Sequence, residues 1–322
     1  MDSLTSMARD EAAPTTLCIL GGSGFVGRRL IRQISGIRGG SLRVLRHRRD
    51  PGLLPGIETI DGSADDPDVL EQLLRPGAVV INLVNFGDDI EVAGRAARAL
   101  ADACAKARIL RLVHVSTAVV VGDSASSVID EKTPCDPATA YELAKFEVER
   151  LLMEKARDAF ELVILRPTAV FGPGGRNLLA MADRLRSGGR LRRYVVACLM
   201  GRRRMNLVDV DAVVAAVRFL AAFPGKLNNR LFIVSDDDEP MNNYFDLEEQ
   251  LARRLDVPGH ALPVVPLPPW ALRLLLRLAR RPSRDPQRRY MSGELQELGF
   301  EKPRTFLAAL DEFAACLNEG RA

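Results

Sequence analysis

Two rhythms of apolar spacing alternate along the first 236 residues. Short apolar runs at Leu17–Leu20, Leu42–Arg46, Val79–Val84, Leu110–Ser116, Leu162–Arg166 and Leu231–Val234 read as buried strands. Between them lie stretches with the three-and-four spacing of amphipathic helices, chiefly Phe25–Ser35, Ile90–Ala107 and Ala138–Arg157. Strand, helix, strand in repetition predicts an α/β fold: a doubly wound parallel sheet covered on both faces. Such a sheet takes its ligand at the carboxyl ends of the strands, beside the point where strand order reverses. The apolar run Tyr194–Met200 also reads as a buried strand. Neither it nor Val79–Val84 approaches the roughly 18 apolar residues of a membrane span.

After about residue 236 the alternation stops. The remainder is helix-rich and interrupted by Pro258, Pro263, Pro266, Pro268 and Pro269, which predicts a smaller lobe rather than an independent domain. The expected organisation is a flexible leader over 1–16, a core over 17–175, a substrate-lobe insertion over 176–204, a return to the core over 205–236, and a C-terminal substrate lobe over 237–322. The leader carries charges and lacks an apolar segment, so it does not read as a secretory signal.

Composition narrows the function classes. With 47% hydrophobic and 27% charged residues, the 322-residue chain has the makeup of a globular protein. Its 45 basic side chains nearly balance 42 acidic ones, which argues against a dedicated nucleic-acid binder. Five cysteines lie far apart with no C-x-x-C, so neither a disulfide framework nor a cysteine zinc site is suggested, and no metal is expected. A reducing cytoplasm fits best.

Four clusters carry chemistry. Gly21-Gly22-Ser23-Gly24-Phe25-Val26-Gly27 follows the first strand directly and opens a helix. Gly21 can make the tight turn, Gly24 lets the backbone approach a pyrophosphate, and Gly27 lets helix and strand pack closely. The new helix aims unpaired N–H groups at the phosphates. This predicts dinucleotide binding on a Rossmann-type sheet. Arg46 ends the next strand, followed by His47, Arg48 and Arg49, where an acidic residue would favour NAD. A guanidinium can grip a 2′-phosphate, so NADP(H) is favoured, with NAD(H) the alternative and a solvated basic turn the plain reading. Tyr141 and Lys145, four apart, share one helix face, with Asp136 and Pro137 upstream as cap and first residue. A phenol is a poor base at neutral pH, and a neighbouring ammonium favours its ionised form. Ser116 and Thr117 close a buried strand, where Thr117 can hold the substrate oxygen that Tyr141 protonates or deprotonates.

Together these residues resemble the extended short-chain dehydrogenase/reductase superfamily, in its NAD-dependent epimerase/dehydratase branch. The resemblance runs from about Leu17 to Phe313. It includes the glycine loop, Ser116-Thr117 with Gly122, Tyr141 with Lys145, and Leu165-Arg166-Pro167-Thr168 with Phe171-Gly172-Pro173. It continues through Asn206–Asp211, Ser292–Leu295 and Leu298-Gly299-Phe300. It implies that Thr117 and Tyr141 are catalytic, that Lys145 also holds the nicotinamide ribose, and that Pro167 lies along the nicotinamide. Ser63 stands where relatives carry an aspartate against adenine, and Leu83 sits in a fourth-strand segment that reshapes the ribose pocket. Ala118 and Val119 follow the threonine where sugar dehydratases carry acids, which disfavours a dehydratase. A homodimer is expected.

The substrate side is read from charge. Eight arginines lie between 184 and 204 (Arg184, Arg186, Arg190, Arg192, Arg193, Arg202, Arg203, Arg204), in the segment that encloses the nucleotide in relatives acting on nucleotide sugars. They suit a diphosphate or form a solvated basic surface. Asn177 and Arg204 are the expected substrate contacts. A second stretch, Trp270–Arg289, alternates Leu272, Leu275 and Leu276 with Arg273, Arg277, Arg280 and Arg281, and either packs on its own lobe or makes a weak contact with an anionic membrane. The favoured function is hydride transfer at a secondary alcohol or ketone carbon, with a nucleotide-sugar 4-ketoreductase ahead of a 4-epimerase and of a reductase of a non-sugar ketone. A cofactor-binding subunit without turnover is the reading from another class.

Overall fold

The computed structural model describes residues 16–34, 41–47, 57–227, 229–268, 270, 271, 274, 278 and 285–320. Seven parallel strands make the central sheet: β1 Leu17–Leu20, β2 Leu42–Arg46, β3 Glu58–Asp61, β4 Val79–Asn82, β5 Arg111–Val115, β7 Glu161–Pro167 and β10 Leu231–Val234. Their order is β10-β7-β5-β4-β1-β2-β3. The chain winds outward from β1 through β2 and β3, then returns to the other side of β1 with β4. That reversal opens a crevice at the carboxyl ends of β1 and β4.

Both sheet faces are covered, which is why the strands read as continuous apolar runs. On one face, α3 (Ile90–Ala107) and α4 (Ala140–Ala156) bury Leu100, Ala144, Val148 and Leu152 against Leu20, Val80 and Leu112. On the other, α1 (Phe25–Ile34) and α7 (Val210–Ala222) bury Leu30, Ile31, Val213 and Val217 against Ile19, Val113 and Val163. The helices start where their caps dictate. Asp89 accepts from the Glu91 and Val92 N–H groups at 2.9 and 3.1 Å to open α3. Thr139 and Glu142 form a reciprocal capping box that opens α4. That box sets the start of α4 three residues later than Asp136 and Pro137 suggest. Asp136 instead hydrogen-bonds through its backbone to Val121 and Asp123.

The smaller lobe has its own core. Phe171, on the short strand β8 (Ala169–Phe171), meets Phe306 and Phe313 of the last helix, Phe306–Asn318, edge-on at 5.3 and 6.5 Å. Around them pack α5 (Leu179–Ser187) and α8 (Tyr244–Arg254). Tyr194–Met200 is helical, not a strand: it belongs to α6 (Arg190–Met200), in which Arg193 and Ala197 turn inward. A seven-residue apolar run fits either element, and here the preceding Arg190–Arg193 turn extends it to helical length. No helix among the described residues is long and apolar enough to cross a membrane.

Candidate active site

The glycine loop is built for close approach. Gly21 has φ +84°, and a Cβ there would lie 2.8 Å from the Leu83 carbonyl carbon. A Cβ on Gly27 would lie 2.3 Å from the Gly21 carbonyl oxygen, so α1 packs directly on the turn. Ser23, Gly24, Phe25 and Val26 form one wall of a cleft of about 1450 Å³.

The opposite wall comes from the ends of β5 and β7. Thr117 caps the short turn Ala118–Val121, and Gly122 ends it at φ +62°. The Arg288 guanidinium donates to the Gly122 carbonyl at 2.6 Å, and Asp136 pairs with Val121 and Asp123 through the backbone. These bonds bring the start of α4 against the end of β5, where Tyr141 is hydrogen-bonded to Thr117. Lys145 Nζ lies 6.0 Å from the centre of the Tyr141 ring.

Burial dominates the electrostatics. It raises the Tyr141 phenol above its ordinary value, against the Thr117 hydrogen bond, while the nearby Asp88 carboxylate adds to the rise. It also lowers Lys145 to about 8, opposed by Glu149 and Asp88. Glu149, one turn further along α4, is fully paired with Arg166 at 3.0 and 2.5 Å, and both are buried. Behind Lys145, His114 is pushed down to about 3 by burial, with the lysine charge adding to it. The Asn82 Oδ1 accepts from the Val84 N–H at 3.0 Å, which turns the Asn82 amide nitrogen toward His114 Nδ1, also at 3.0 Å. Nδ1 is then the acceptor and the single ring proton sits on Nε2.

Gly24, Phe25, Val26, Thr117, Tyr141, Pro167 and Asn177 all line the cleft. Arg46 and Ser63 lie at the ends of β2 and β3, Leu83 follows β4, and Lys145 sits buried beneath Tyr141. The cradle, closed to a Cβ at Gly21 and Gly27, together with the buried Ser116 and Thr168 hydroxyls that have no partner among the described residues, suits a nicotinamide dinucleotide. Gly21–Gly27, Lys145, Pro167 and these two hydroxyls would hold it.

The arginine cluster is distributed differently from the expectation. None of the eight arginines between 184 and 204 lines this cleft. Arg184 donates to Tyr244, Arg186 to Asn318, Arg193 to the Pro258 carbonyl, Arg202 to Asp246 and Arg204 to the Glu239 carbonyl. The density of charge suited either a diphosphate or a solvated basic surface, and acceptors within the lobe take these five. Asn177 spends its amide on the Val170 carbonyl at 2.6 Å. The cations on the cleft wall are Arg28, Arg29, Arg32 and Arg176. Arg29 is gripped by Asp211 and Glu312, and Arg304 joins those two carboxylates to Asp209. Arg48, Arg49 and the arginines and leucines named between Leu272 and Arg281 lie outside the described residues. Sequence reasoning missed Asp88, His114, Thr168 and the Glu149–Arg166 pair. Arg166 and Thr168 stood in the Leu165–Thr168 motif without an assigned role, and Glu149 carried a signal as a carboxylate four residues beyond Lys145 on one helix face.

Comparison with known proteins agrees with this geometry. The family described as "NAD dependent epimerase/dehydratase family" matches residues 17–234. The chain is 28% identical over 293 residues to a UDP-glucose 4-epimerase of Vibrio cholerae, covering 84% of each chain. It is 27% identical over 315 residues to sterol demethylase protein B of Methylococcus capsulatus, covering 88% of this chain and 89% of the other. Among solved structures it superposes on the Bordetella bronchiseptica enzyme WbmH in complex with NAD+ with a TM-score of 0.73, at 18% identity, over 96% of this chain and 100% of that one. A glycine cradle on β1, a Thr117–Tyr141–Lys145 cluster at the sheet's carboxyl edge and the family match over 17–234 therefore identify the chain as an NAD-dependent enzyme of the epimerase/dehydratase family, within the extended short-chain dehydrogenases/reductases.

Proposed function

We propose that the protein catalyses NAD(P)-dependent hydride transfer at a secondary alcohol or ketone carbon and runs as a net ketone reductase. The observation that carries this reading is the placement of the Tyr141 phenol on the cleft wall with Thr117 and above Lys145, where an un-ionised phenol is a proton donor at neutral pH. Reducing a ketone needs an acid at the oxygen, whereas oxidising an alcohol needs a base there. The bound nicotinamide supplies or accepts the hydride. Thr117 holds the substrate oxygen beside the phenol, Tyr141 delivers the proton, and the Lys145 ammonium stabilises the phenolate left behind. Arg46 supports NADP(H) as the reductant.

The substrate we favour is a nucleotide-activated sugar, reduced at its 4-keto carbon. Support comes from Arg176 and Asn177 on the cleft wall and from relatives named for such substrates. A second reading, a nucleotide-sugar 4-epimerase, is favoured by the Vibrio cholerae relative along most of its length. A non-sugar ketone is favoured by the Methylococcus capsulatus relative, named for sterols. The Tyr141–Lys145 pair argues against a subunit without turnover. A cytoplasmic homodimer completes the proposal. Five free cysteines suit a reducing compartment. Exposed Ile90 and Val92 on α3 with Leu143 and Met153 on α4 suit contact with a second copy, which sedimentation would test.

The deciding experiment offers the purified protein UDP-, GDP- and dTDP-linked sugars and 4-keto sugars with NADPH. Stoichiometric NADPH oxidation by a keto sugar supports the reductase. Interconversion of C4 epimers without net cofactor turnover replaces it with the epimerase. Turnover of a phosphate-free sterol-type ketone alone removes the nucleotide sugar.

A further inference from the structure

The outer face of α6 is apolar where a surface helix is ordinarily polar. Of its residues only Arg193 and Ala197 are buried, and on the opposite side Leu191 and Val195 stand 76% and 46% exposed. Residues 262–268 run alongside. The Tyr194 hydroxyl donates to the Pro263 carbonyl at 3.1 Å, and the Leu267 N–H donates to the Cys198 carbonyl at 2.8 Å. Pro266 packs on Gly201, where an added Cβ would meet its ring at 2.7 Å. This strip adds Leu262 and Val265, both well exposed. Trp270, Leu274 and Leu278 follow at four-residue spacing in helical conformation, each more than half exposed.

The sequence around this face is basic as well. The chain has no acidic residue from 184 to 208 or from 257 to 284, and these stretches hold eight and five arginines. Without those thirteen arginines, 32 basic side chains would face 42 acidic ones. Arg190 and Arg192 are exposed on either side of Leu191. Arginines 273, 277, 280, 281 and 284 lie outside the described residues and enter through the sequence alone.

We propose that α6, residues 262–268 and the exposed Trp270, Leu274 and Leu278 form one face that lies on an anionic lipid surface. Large apolar side chains and a tryptophan among arginines, in stretches of sequence that hold no acid, are the composition of an interfacial segment. An acidic protein partner would pair with the arginines and leave Leu191, Val265 and Trp270 against polar groups. A bilayer surface satisfies both, with apolar groups at the headgroup boundary and guanidinium groups on phosphate. The face is independent of the substrate reading, because none of these residues lines the catalytic cleft.

Trp270 is the chain's single tryptophan and reports directly on this face. Full-length protein mixed with phosphatidylcholine vesicles containing about one third phosphatidylglycerol should sediment with them, and its emission should shift to the blue. Partition into pure phosphatidylcholine should be roughly tenfold weaker or more, and salt should release the bound protein. Arg190→Gln and Arg192→Gln should each weaken binding about fivefold. Leu191→Glu with Val265→Glu should abolish it while leaving circular dichroism and cofactor binding unchanged. Absence of sedimentation and of an emission shift with the anionic vesicles overturns the proposal, as does binding that survives both sets of substitutions. Binding to soluble polyglutamate but not to vesicles also overturns it, in favour of an acidic protein partner.

Discussion

Arg46 and Asp61 are register partners at the carboxyl ends of β2 and β3, and their side chains meet in a two-pronged ion pair of 2.5 and 2.7 Å. The guanidinium expected to select a 2′-phosphate is thus already seated on a carboxylate. Both side chains are substantially exposed, at 41% and 64%, and a pair in that setting adds little stability. A 2′-phosphate can therefore take the carboxylate's place at small cost. NADPH should bind more tightly than NADH, and Asp61→Asn should widen that margin severalfold by removing the competitor. Arg46→Asp should narrow or reverse it. Fluorescence titrations with both cofactors check this, and equal affinities in the unmodified protein would remove the basis of the NADP(H) reading.

The proposed catalytic trio of Thr117, Tyr141 and Lys145 gives the next expectation. Tyr141→Phe removes one hydroxyl, so folding and cofactor binding should survive while turnover falls by roughly two to four orders of magnitude. Thr117→Val should reduce turnover with little effect on cofactor affinity. Lys145→Met should harm both, because the ammonium supports the phenolate and the ribose contact together. Steady-state rates alongside cofactor titrations separate the three. Near-normal turnover by the Tyr141→Phe protein would sink the assignment.

Legibility in the sequence followed the range of the interactions involved. The sheet's long strands and the glycine loop are local patterns, and they stand where spacing puts them. β3 escaped because Glu58–Asp61 is four residues long with one buried side chain, Ile60, which is too little for a period to register. Its carboxylate on Arg46 escaped for the same reason. The fate of the arginines between 184 and 204 was also hidden: the acceptors of five of them, from Glu239 to Asn318, lie far along the chain, and density of charge says nothing about which partner folds nearest. Tyr141 and Lys145 were visible as a helical pair, whereas the burial that sets their protonation depends on the whole fold.

Lys145 predicts a pH dependence of stability. Its folded value is about 8, below its ordinary 10.5, because burial penalises the ammonium. Below pH 8 both folded and unfolded chains carry the proton, and the folded one bears the desolvation penalty in full. Between pH 8 and 10.5 the unfolded chain binds more protons, so the stability contributed by this residue rises with pH and levels off above. Urea unfolding of the cofactor-free protein and of Lys145→Met at pH 7.5 and 9.5 isolates the effect. The variant's advantage should shrink at the higher pH, and a constant difference would mean that Lys145 titrates as an ordinary surface lysine.

The buried Glu149–Arg166 pair joins stability to this titration. Glu149→Gln leaves the Arg166 guanidinium buried without its counter-ion, which should cost about 3–5 kcal/mol in unfolding free energy. It also removes a charge that helps keep Lys145 protonated, so the lysine should lose its proton at lower pH than in the unmodified protein. These two effects can be separated. Replacing both partners by methionine restores an uncharged, filled site, and stability should return toward that of the unmodified protein. The downward shift of the Lys145 titration should persist, because the carboxylate is still absent. Proton-detected titration of Lys145, read beside denaturant curves of the two variants, tests both halves. Recovery of the lysine titration together with stability would mean that Glu149 acts through packing and not through its charge.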